Sequence, residues 1–596
     1  MSGKNAAAAG KIFRYMTASW RPYALLALVV AGLYAQTLGF DFSGHDDYQL
    51  IVEKAGMLSD PANILRAFET DVVWGHQEIY YRPVLTLSFM ADAIWGGMKP
   101  FAFHLGNLLL HLLAVLLLFR FLSRLGIPPG RSLVASLFFA VHPLLAQGVG
   151  WIPGRNDPLL TVLVLGSFLA FIEYVQKGRN WVLGAHLMLF LLALLSKETA
   201  VFLPVMAFGY WLFSRKNAKK EDGVNLFLPV AGWLVMAVVY YLLRMNAIQP
   251  GAGVAAARIN TLSQNLTGFV SYIGKVFFPF NLSGDPIPAD LPIGYGLFSL
   301  AGLAAVFLLG GIRDRKLFWL GLSWFILFLV PTFLGNTSYA NFAEHRMYLP
   351  LCGFAVMLLQ SDLKLSSRPE RTAAGAVVAI WLLAFVLLNA LHTRNYANRF
   401  SYWGNTVKNS PHSYHAHNML GRCYAQEGSY ARAEEEFLIS WKINPQHTTA
   451  YNDLGLLYLG MGRSSEAEAV FRELLVREPS NAGARNNLGL LYLQQNRMDE
   501  AEREFLEAAK LNPGKAEIYD NLGVVHFKRG SLLQAEQYLL QAAALDPEDI
   551  KVNFHLASLY YRAQDHLKAI KYYDKSISLG MTPDPRVEEA LRPYRK

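Results

Sequence analysis

The chain is 596 residues long, 53% hydrophobic and only 17% charged, with 54 Lys and Arg against 45 Asp and Glu for a net charge of +9. That length predicts several domains, and the two cysteines, Cys352 and Cys423, argue against a disulfide framework or a thiolate metal site and read as packing residues. The positive charge calls for no nucleic acid, because its distribution along the chain is that of a membrane protein.

Lys4, Lys11, Arg14 and Arg21 precede the first apolar run and no A-x-A-like cleavage site follows it, so the run reads as a retained anchor. Apolar runs of about 17 or more residues, enough to cross about 30 Å of hydrocarbon, recur as far as Leu391. They predict about eleven spans, at 22–38, 101–119, 132–148, 158–175, 181–196, 199–213, 225–243, 294–310, 317–333, 347–361 and 372–391. Lys and Arg collect in alternate connections: Arg120, Arg124 and Arg131; Lys177 and Arg179; Arg215 to Lys220; Arg313 to Lys316; Lys364 to Arg371. Cationic loops stay cytoplasmic, which puts the N-terminus inside and, with an odd number of spans, exports everything after Leu391. The expected setting is a bacterial inner membrane with that part in the periplasm, or the endoplasmic reticulum with it in the lumen.

The short polar motifs fall on the exported side: Gly44-His45-Asp46-Asp47, Tyr80-Tyr81-Arg82-Pro83, Phe103-His104, His142-Pro143, Gly154-Arg155-Asn156-Asp157, Ser196-Lys197-Glu198 and Glu344-His345-Arg346. Ionisable groups at a membrane boundary are costly unless paired or working, so these are candidate site residues. Asp46 is placed to take a proton from an acceptor hydroxyl as general base, with Asp47 holding geometry or tuning it by like-charge repulsion. Arg82, Arg155, Lys197 and Arg346 supply the cations that a departing phosphate needs. The structural alternative pairs each with a sequence neighbour: Lys197 with Glu198, Arg155 with Asp157, Arg346 with Glu344. His45, Tyr81, His104, His142, Glu198, Glu344 and His345 complete the candidate pocket. His104, Asn107 and His111 share one helix face, but the two histidines stand about 10 Å apart along the axis, too far for one metal ion. No zinc-protease, P-loop, nucleophile-elbow or dinucleotide motif occurs in useful context, and no metal site is predicted.

From Pro411 onward, proline recurs at 445, 479, 513 and 547, every 34 residues, the tetratricopeptide period. Gly421, Gly455, Gly489 and Gly523 keep step, as do Ala433, Ala467, Ala501, Ala535 and Ala569, and five repeats follow with a partial unit at 403–410. Asn418, Asn452, Asn486 and Asp520 occupy equivalent points of each first helix, with Asn487 and Asn521 beside them. Stacked amides on that face are candidates to bind the backbone of an extended acceptor peptide; the alternative is a solvated helix face. The expected domains are a polytopic helical membrane domain over 1–395, a tetratricopeptide α-solenoid over 396–583, and a capping helix over 584–596, an all-α architecture.

The strings HDDYQLI, YYRPVLTLSF, FHLGNLLLH, FFAVHPLLAQGVGWIPGRNDPLL, LLSKETAVFLP and AEHRMYLP, followed by the repeats, resemble the transmembrane and tetratricopeptide-repeat O-mannosyltransferase family of GT-C glycosyltransferases. The resemblance runs from about residue 22 to the end. It implies a GT-C fold, a polyprenyl-phosphate-linked sugar as donor substrate and an exported acceptor, with Asp46 as base, Asp47 beside it, and Arg82, Arg155, Lys197 and Arg346 around the donor phosphate. Family members often read His-Pro-x-His-x-Glu where this chain has His142-Pro143-Leu144-Leu145-Ala146-Gln147, so roles of that second His and of the Glu are not carried over. An oligosaccharide ligase of the O-antigen-ligase type, using the outer stretch 246–292, and a non-enzymatic assembly scaffold are the competing readings.

Overall fold

The computed structural model describes residues 19–72, 80–215, 226–248, 262–334, 342–364 and 367–595. Among them every regular element is helical apart from one isolated bridge between Ile312 and Ser361. The chain divides into two compact units, Met1–Ala416 and His417–Lys596. The division comes later than the expected residue 395 because the helix Arg399–Asn409 packs within the first unit: Tyr402 Oη and Asn405 Nδ2 donate to the carbonyls of Gly284 and Leu282 at 3.3 and 3.0 Å. The expected partial repeat at 403–410 is that helix.

In the first unit, all eleven apolar runs form helices, but among the described residues only six helices are long and apolar enough to cross a membrane: Arg21–Gly39, Pro100–Arg124, Ile152–Lys177, Phe227–Ala247, Arg315–Phe333 and Pro369–Tyr396. A seventh span arises if the pair Pro129–Val141 and Pro143–Gly150, bent by 53°, counts as one. The bend has a local cause: Pro143 lacks an N–H and forces His142 into an extended conformation. Asn389 Nδ2 satisfies the carbonyls freed there, donating to Val141 and His142 at 3.2 and 3.1 Å.

Asn180–Leu194, Glu198–Ser214 and Gly294–Gly310 are shorter apolar helices. The run expected to span at 347–361 is the 11-residue helix Tyr348–Leu358, about 16 Å long at 1.5 Å per residue. Tyr348 through Met357 are all buried, so this run is apolar on every side because protein surrounds it. It packs backbone to backbone against Arg315–Leu329, where a Cβ on Gly321 would come 2.6 Å from the Gly353 carbonyl. Conversely, Phe227–Ala247 and Pro369–Tyr396 leave Leu234, Val238, Leu242, Ile380, Leu383 and Leu387 exposed, as lipid-facing helices do.

The second unit carries the remaining repeat helices, paired from Tyr414–Gln426 with Tyr430–Ile443 to Ile550–Arg562 with His566–Ser578, then the closing helix Pro585–Leu591. Within each of the first four pairs the glycine admits a ring or branched side chain from the second helix. A Cβ at Gly421, Gly455, Gly489 or Gly523 would meet Phe437, Phe471, Phe505 or Leu539 at 2.5–2.7 Å.

The amide positions act between repeats. Asn418 Nδ2 donates to Asp453 Oδ2 at 3.2 Å, Asn487 Nδ2 to Asn452 Oδ1 at 2.8 Å, and Asn521 Nδ2 to Asn486 Oδ1 at 2.8 Å, while His555 Nδ1 meets Asp520 Oδ1 at 2.7 Å. Each bond joins one repeat to the next. The row proposed for an acceptor peptide thus forms a largely buried staple along the solenoid, because a 34-residue period brings residue n beside residue n+35.

Candidate active site

The dyad follows the first span. Asp47 is buried, and its Oδ2 accepts from the backbone N–H groups of Ser43 and Gly44 at 2.6 and 2.9 Å. Burial pushes its carboxyl up to about 7 against those bonds, and the neighbouring Asp46 adds to the rise. Asp47 therefore shapes the loop, and the short helix His45–Asp47 leaves Asp46 half-buried beside it. The His45 side chain lies outside the described residues.

The cations pair with carboxylates other than their neighbours. Lys197 Nζ lies 2.7 and 2.8 Å from the two Asp157 oxygens, and Arg82 Nη2 lies 3.0 Å from Glu198 Oε2. The Val84 N–H donates to the Leu195 carbonyl at 3.1 Å, tying the Arg82 loop to the Ser196-Lys197-Glu198 turn. His345 Nε2 stands 3.8 Å from Asp157 Oδ2, and the His345 N–H donates to Gln147 Oε1 at 3.1 Å. Burial, then Lys197, Arg346 and Arg82, hold the His345 imidazole well below its usual range and thus neutral. Burial and the nearby Arg82 and Arg346 charges also lower Lys197 in spite of Asp157, whereas Glu198 raises Arg82 in spite of burial. Arg82, Lys197, Arg346 and His345 thus share one electrostatic neighbourhood.

The same geometry engages several expected site residues with protein partners. Arg155 is 1% exposed: its Nε donates to Asn107 Oδ1 at 2.6 Å, Nη1 to the Ser88 carbonyl at 3.0 Å and Nη2 to the Phe103 carbonyl at 2.6 Å, while Asp92 neutralises it. This fork faces protein on every side, so Arg155 is a structural cation and its expected Asp157 pairing is replaced by Asp92. His142 Nε2 faces the Val276 carbonyl at 3.0 Å and its Nδ1 accepts from the Leu144 N–H, capping the bend. Tyr81 donates to the Phe68 carbonyl at 2.9 Å, and His104 reaches the Asp41 carbonyl at 3.4 Å behind the dyad loop. Glu344 Oε1 accepts from Lys275 Nζ at 3.0 Å and the Ser283 N–H at 2.9 Å, and Oε2 lies 3.6 Å from His392 Nε2. Burial acts to raise Glu344, but Lys275 and His392 together hold it low, so it stays a carboxylate that fixes the segment bearing His345 and Arg346.

Asp92, Lys275, His392 and Trp151 were missed by motif reading. Asp92, the lone acid in the apolar helix Pro83–Gly96, carried the signal of an ionisable group that must be paired. Trp151 joins the two halves of the site: its ring lies 5.6 Å from His345, and its Nε1 lies 3.2 Å from where a Gly44 Cβ would stand. Asp47 Oδ1, Trp151 Nε1, Arg82 Nε, Glu198 Oε1 and His345 Nδ1 are buried polar atoms without hydrogen-bond partners among the described residues. Such atoms are rare elsewhere in folded proteins and suit a polar ligand. Among the described residues, no three His, Cys, Asp or Glu side chains are grouped to hold a metal ion.

Residues 88–241 match the family model of dolichyl-phosphate-mannose-protein mannosyltransferase, and residues 356–590 match that of the cilia and flagella-associated protein 70 C-terminal domain. The chain is 24% identical over 499 residues to protein O-mannosyl-transferase TMTC1 of Homo sapiens, a stretch covering 71% of this chain and 55% of that protein. It is 34% identical over 182 residues to Tmtc2 of Drosophila melanogaster, covering 28% of this chain and 19% of the relative. The chain spans about half the length of human TMTC1 and less of the Drosophila protein. The solved structure of pilF from Pseudomonas aeruginosa is 26% identical, covering 29% of this chain and 78% of its own with a TM-score of 0.27. A thermophilic tetratricopeptide-repeat protein of Thermus thermophilus is 24% identical, covering 30% and 96% with a TM-score of 0.26. The likeness read from the motifs holds: the chain is similar to the protein O-mannosyl-transferases, with candidate membrane helices and tetratricopeptide-type repeats.

Proposed function

We propose that this chain is a multi-pass membrane glycosyltransferase that moves a sugar, mannose by its relationships, from a polyprenyl phosphate to a hydroxyl of an exported protein. The observation that carries the reading is the Lys197–Asp157 pair beside His345, next to the Arg82–Glu198 pair and joined through Trp151 to the loop that presents Asp46.

In this mechanism Asp46 takes the proton of an acceptor Ser or Thr hydroxyl, and the oxygen attacks the anomeric carbon as the bond from that carbon to the phosphate oxygen breaks. The electron pair leaves with polyprenyl phosphate, whose charge Arg82, Lys197 and Arg346 hold in place. A neutral imidazole at His345 suits this arrangement, since it offers a hydrogen bond without crowding a fourth positive charge against them. The polyprenyl chain lies along the exposed apolar helices, which explains why the catalyst is embedded in a membrane. The repeats recruit the protein acceptor and raise its local concentration. The basic loops support an orientation with the N-terminus cytoplasmic and the repeats exported.

The test is transfer from dolichyl-phosphate-mannose to secreted proteins, followed by intact-mass analysis with and without the chain. Asp46→Asn is expected to cut turnover by about 100-fold or more, the usual contribution of a general base, while the fold and donor binding persist. Wild-type turnover in that variant rejects the assignment.

A further inference from the structure

The turn from Gln147 to Arg155 is fixed with unusual completeness. Asn107 Nδ2 donates to the carbonyls of Val149, Trp151 and Ile152 at 3.4, 3.1 and 3.4 Å, and Asn107 is itself held by Arg155. Three glycines remove any slack: a Cβ on Gly148 would lie 3.1 Å from Tyr348, one on Gly150 3.2 Å from Tyr396, and one on Gly154 2.7 Å from the Gln147 carbonyl. These bonds and close approaches fix the backbone that presents the Trp151 side chain.

The indole packs against Tyr402, with ring centroids 6.2 Å apart, and beside His345. It is 9% exposed, yet its Nε1–H meets no hydrogen-bond acceptor among the described residues. A buried indole N–H ordinarily finds one, so a rigidly held donor without a partner is matched to something that arrives. Its direction is marked by Gly44, whose Cβ would stand 3.2 Å from Nε1 and whose N–H is bound by Asp47. Gly44 does not have a positive φ, so space for the indole, and not backbone conformation, is what calls for glycine there. The donor therefore faces the loop that carries Asp46.

We infer that Trp151 is a specificity residue of the transferase, its Nε1–H donating to one hydroxyl of the sugar held beside Asp46. This rests on the glycosyltransferase reading and adds to it a contact to the sugar itself, where the cations engage only the phosphate. Arg155 and Asn107 are then positioning residues, acting through the turn that aims the indole.

The experiment measures the affinity of the full chain in nanodiscs for dolichyl-phosphate-mannose and for its 2-, 3-, 4- and 6-deoxymannose analogues, comparing wild type with Trp151→Phe and Gly44→Ala. Trp151→Phe keeps a ring and loses the N–H, and is expected to weaken binding of the mannose donor by about three- to tenfold, the worth of one neutral hydrogen bond. With one deoxy donor, the one lacking the contacted hydroxyl, wild type and variant bind equally. Gly44→Ala covers the N–H with a methyl group and reproduces the same pattern in a chain that retains its indole. Equal affinity of wild type and both variants for the mannose donor, or one uniform penalty across all the analogues, overturns the inference. Wild-type protein that binds none of these donors overturns the transferase reading, so the two failures are told apart.

Discussion

Lys197 grips Asp157, 40 positions away in sequence, at 2.7 Å, and leaves its neighbour Glu198 to Arg82 at 3.0 Å. The exchange knits the ends of three helical segments together, since Arg82 precedes Pro83–Gly96, Asp157 opens Asn156–Lys177 and Lys197 follows Asn180–Leu194.

Lys197→Met leaves Asp157 buried without its partner and is expected to cost about 3–5 kcal/mol of stability, as breaking a buried pair does. Lys197→Met combined with Asp157→Asn removes the stranded charge, so the melting temperature recovers in large part. Transfer is expected not to recover, because the proposed phosphate cradle still lacks that cation. Thermal unfolding and mannose transfer measured on wild type and the two variants check this, and a double variant with normal transfer would make the pair purely structural.

Asp47 gives a dependence on pH with a definite sign. Its carboxyl is pushed up to about 7 by burial, so on raising the pH the unfolded chain releases this proton first and the folded chain keeps it longer. The folded state then binds more protons, and stability falls as pH rises between about 4 and 7, by up to about 1.4 kcal/mol per unit, and levels off above. Asp47→Asn keeps the acceptor oxygen for the Ser43 and Gly44 N–H groups and is expected to flatten the profile in pH-dependent melts. Because Asp47 shapes the loop while Asp46 is the proposed base, Asp47→Asn should lose far less than the about 100-fold or more expected for Asp46→Asn.

These assignments show what the sequence made legible and what it hid. The motifs holding Asp46, Arg82, Lys197, His345 and Arg346 were found because charges beside apolar runs are expensive. Their partners were hidden, since the neighbours in sequence project elsewhere once helix ends converge: Arg155 turned inward to Asp92, and Glu344 to Lys275. All eleven apolar runs became helices, but hydropathy does not distinguish lipid from protein as surroundings, and the run at 347–361 proved to be wrapped in protein. The repeats were plain because a 34-residue period in glycine, alanine and proline has few other causes. Even there, the bonds between the Asn positions were hidden, because periodicity says which residues are equivalent and not which pair across repeats.

The repeat staple should behave as shared bonds. Asn452→Ala or Asn487→Ala is expected to destabilise the unit 417–596 by about 1 kcal/mol, and the double variant by little more than one of them, because both remove the same 2.8 Å bond. Chemical unfolding of the four proteins measures this coupling. An additive loss with no coupling, or an unchanged stability joined to weaker acceptor binding, would return these amides to the peptide-facing role that their spacing first suggested.

Arg155→Lys and Arg346→Lys both conserve charge and should diverge. Arg155 uses separate nitrogens for Asn107, Ser88 and Phe103 while neutralising Asp92, a geometry that a single ammonium cannot reproduce. Its replacement by Lys is expected to cost about 3 kcal/mol or more of stability, the scale for disrupting a buried ionic network. The turn at Val149–Ile152 loosens with it, so donor affinity is expected to fall even though the Arg155 guanidinium is engaged by protein groups. Arg346 is only half-buried, and at Arg346→Lys the melting temperature should stay near wild type while affinity for dolichyl-phosphate-mannose drops about tenfold, the loss of one arm of a bidentate phosphate contact. Melting curves and donor titrations of the two variants side by side separate a cation that builds the site from one that serves in it. A stable Arg155→Lys protein with normal donor affinity would contradict the structural role assigned to that guanidinium.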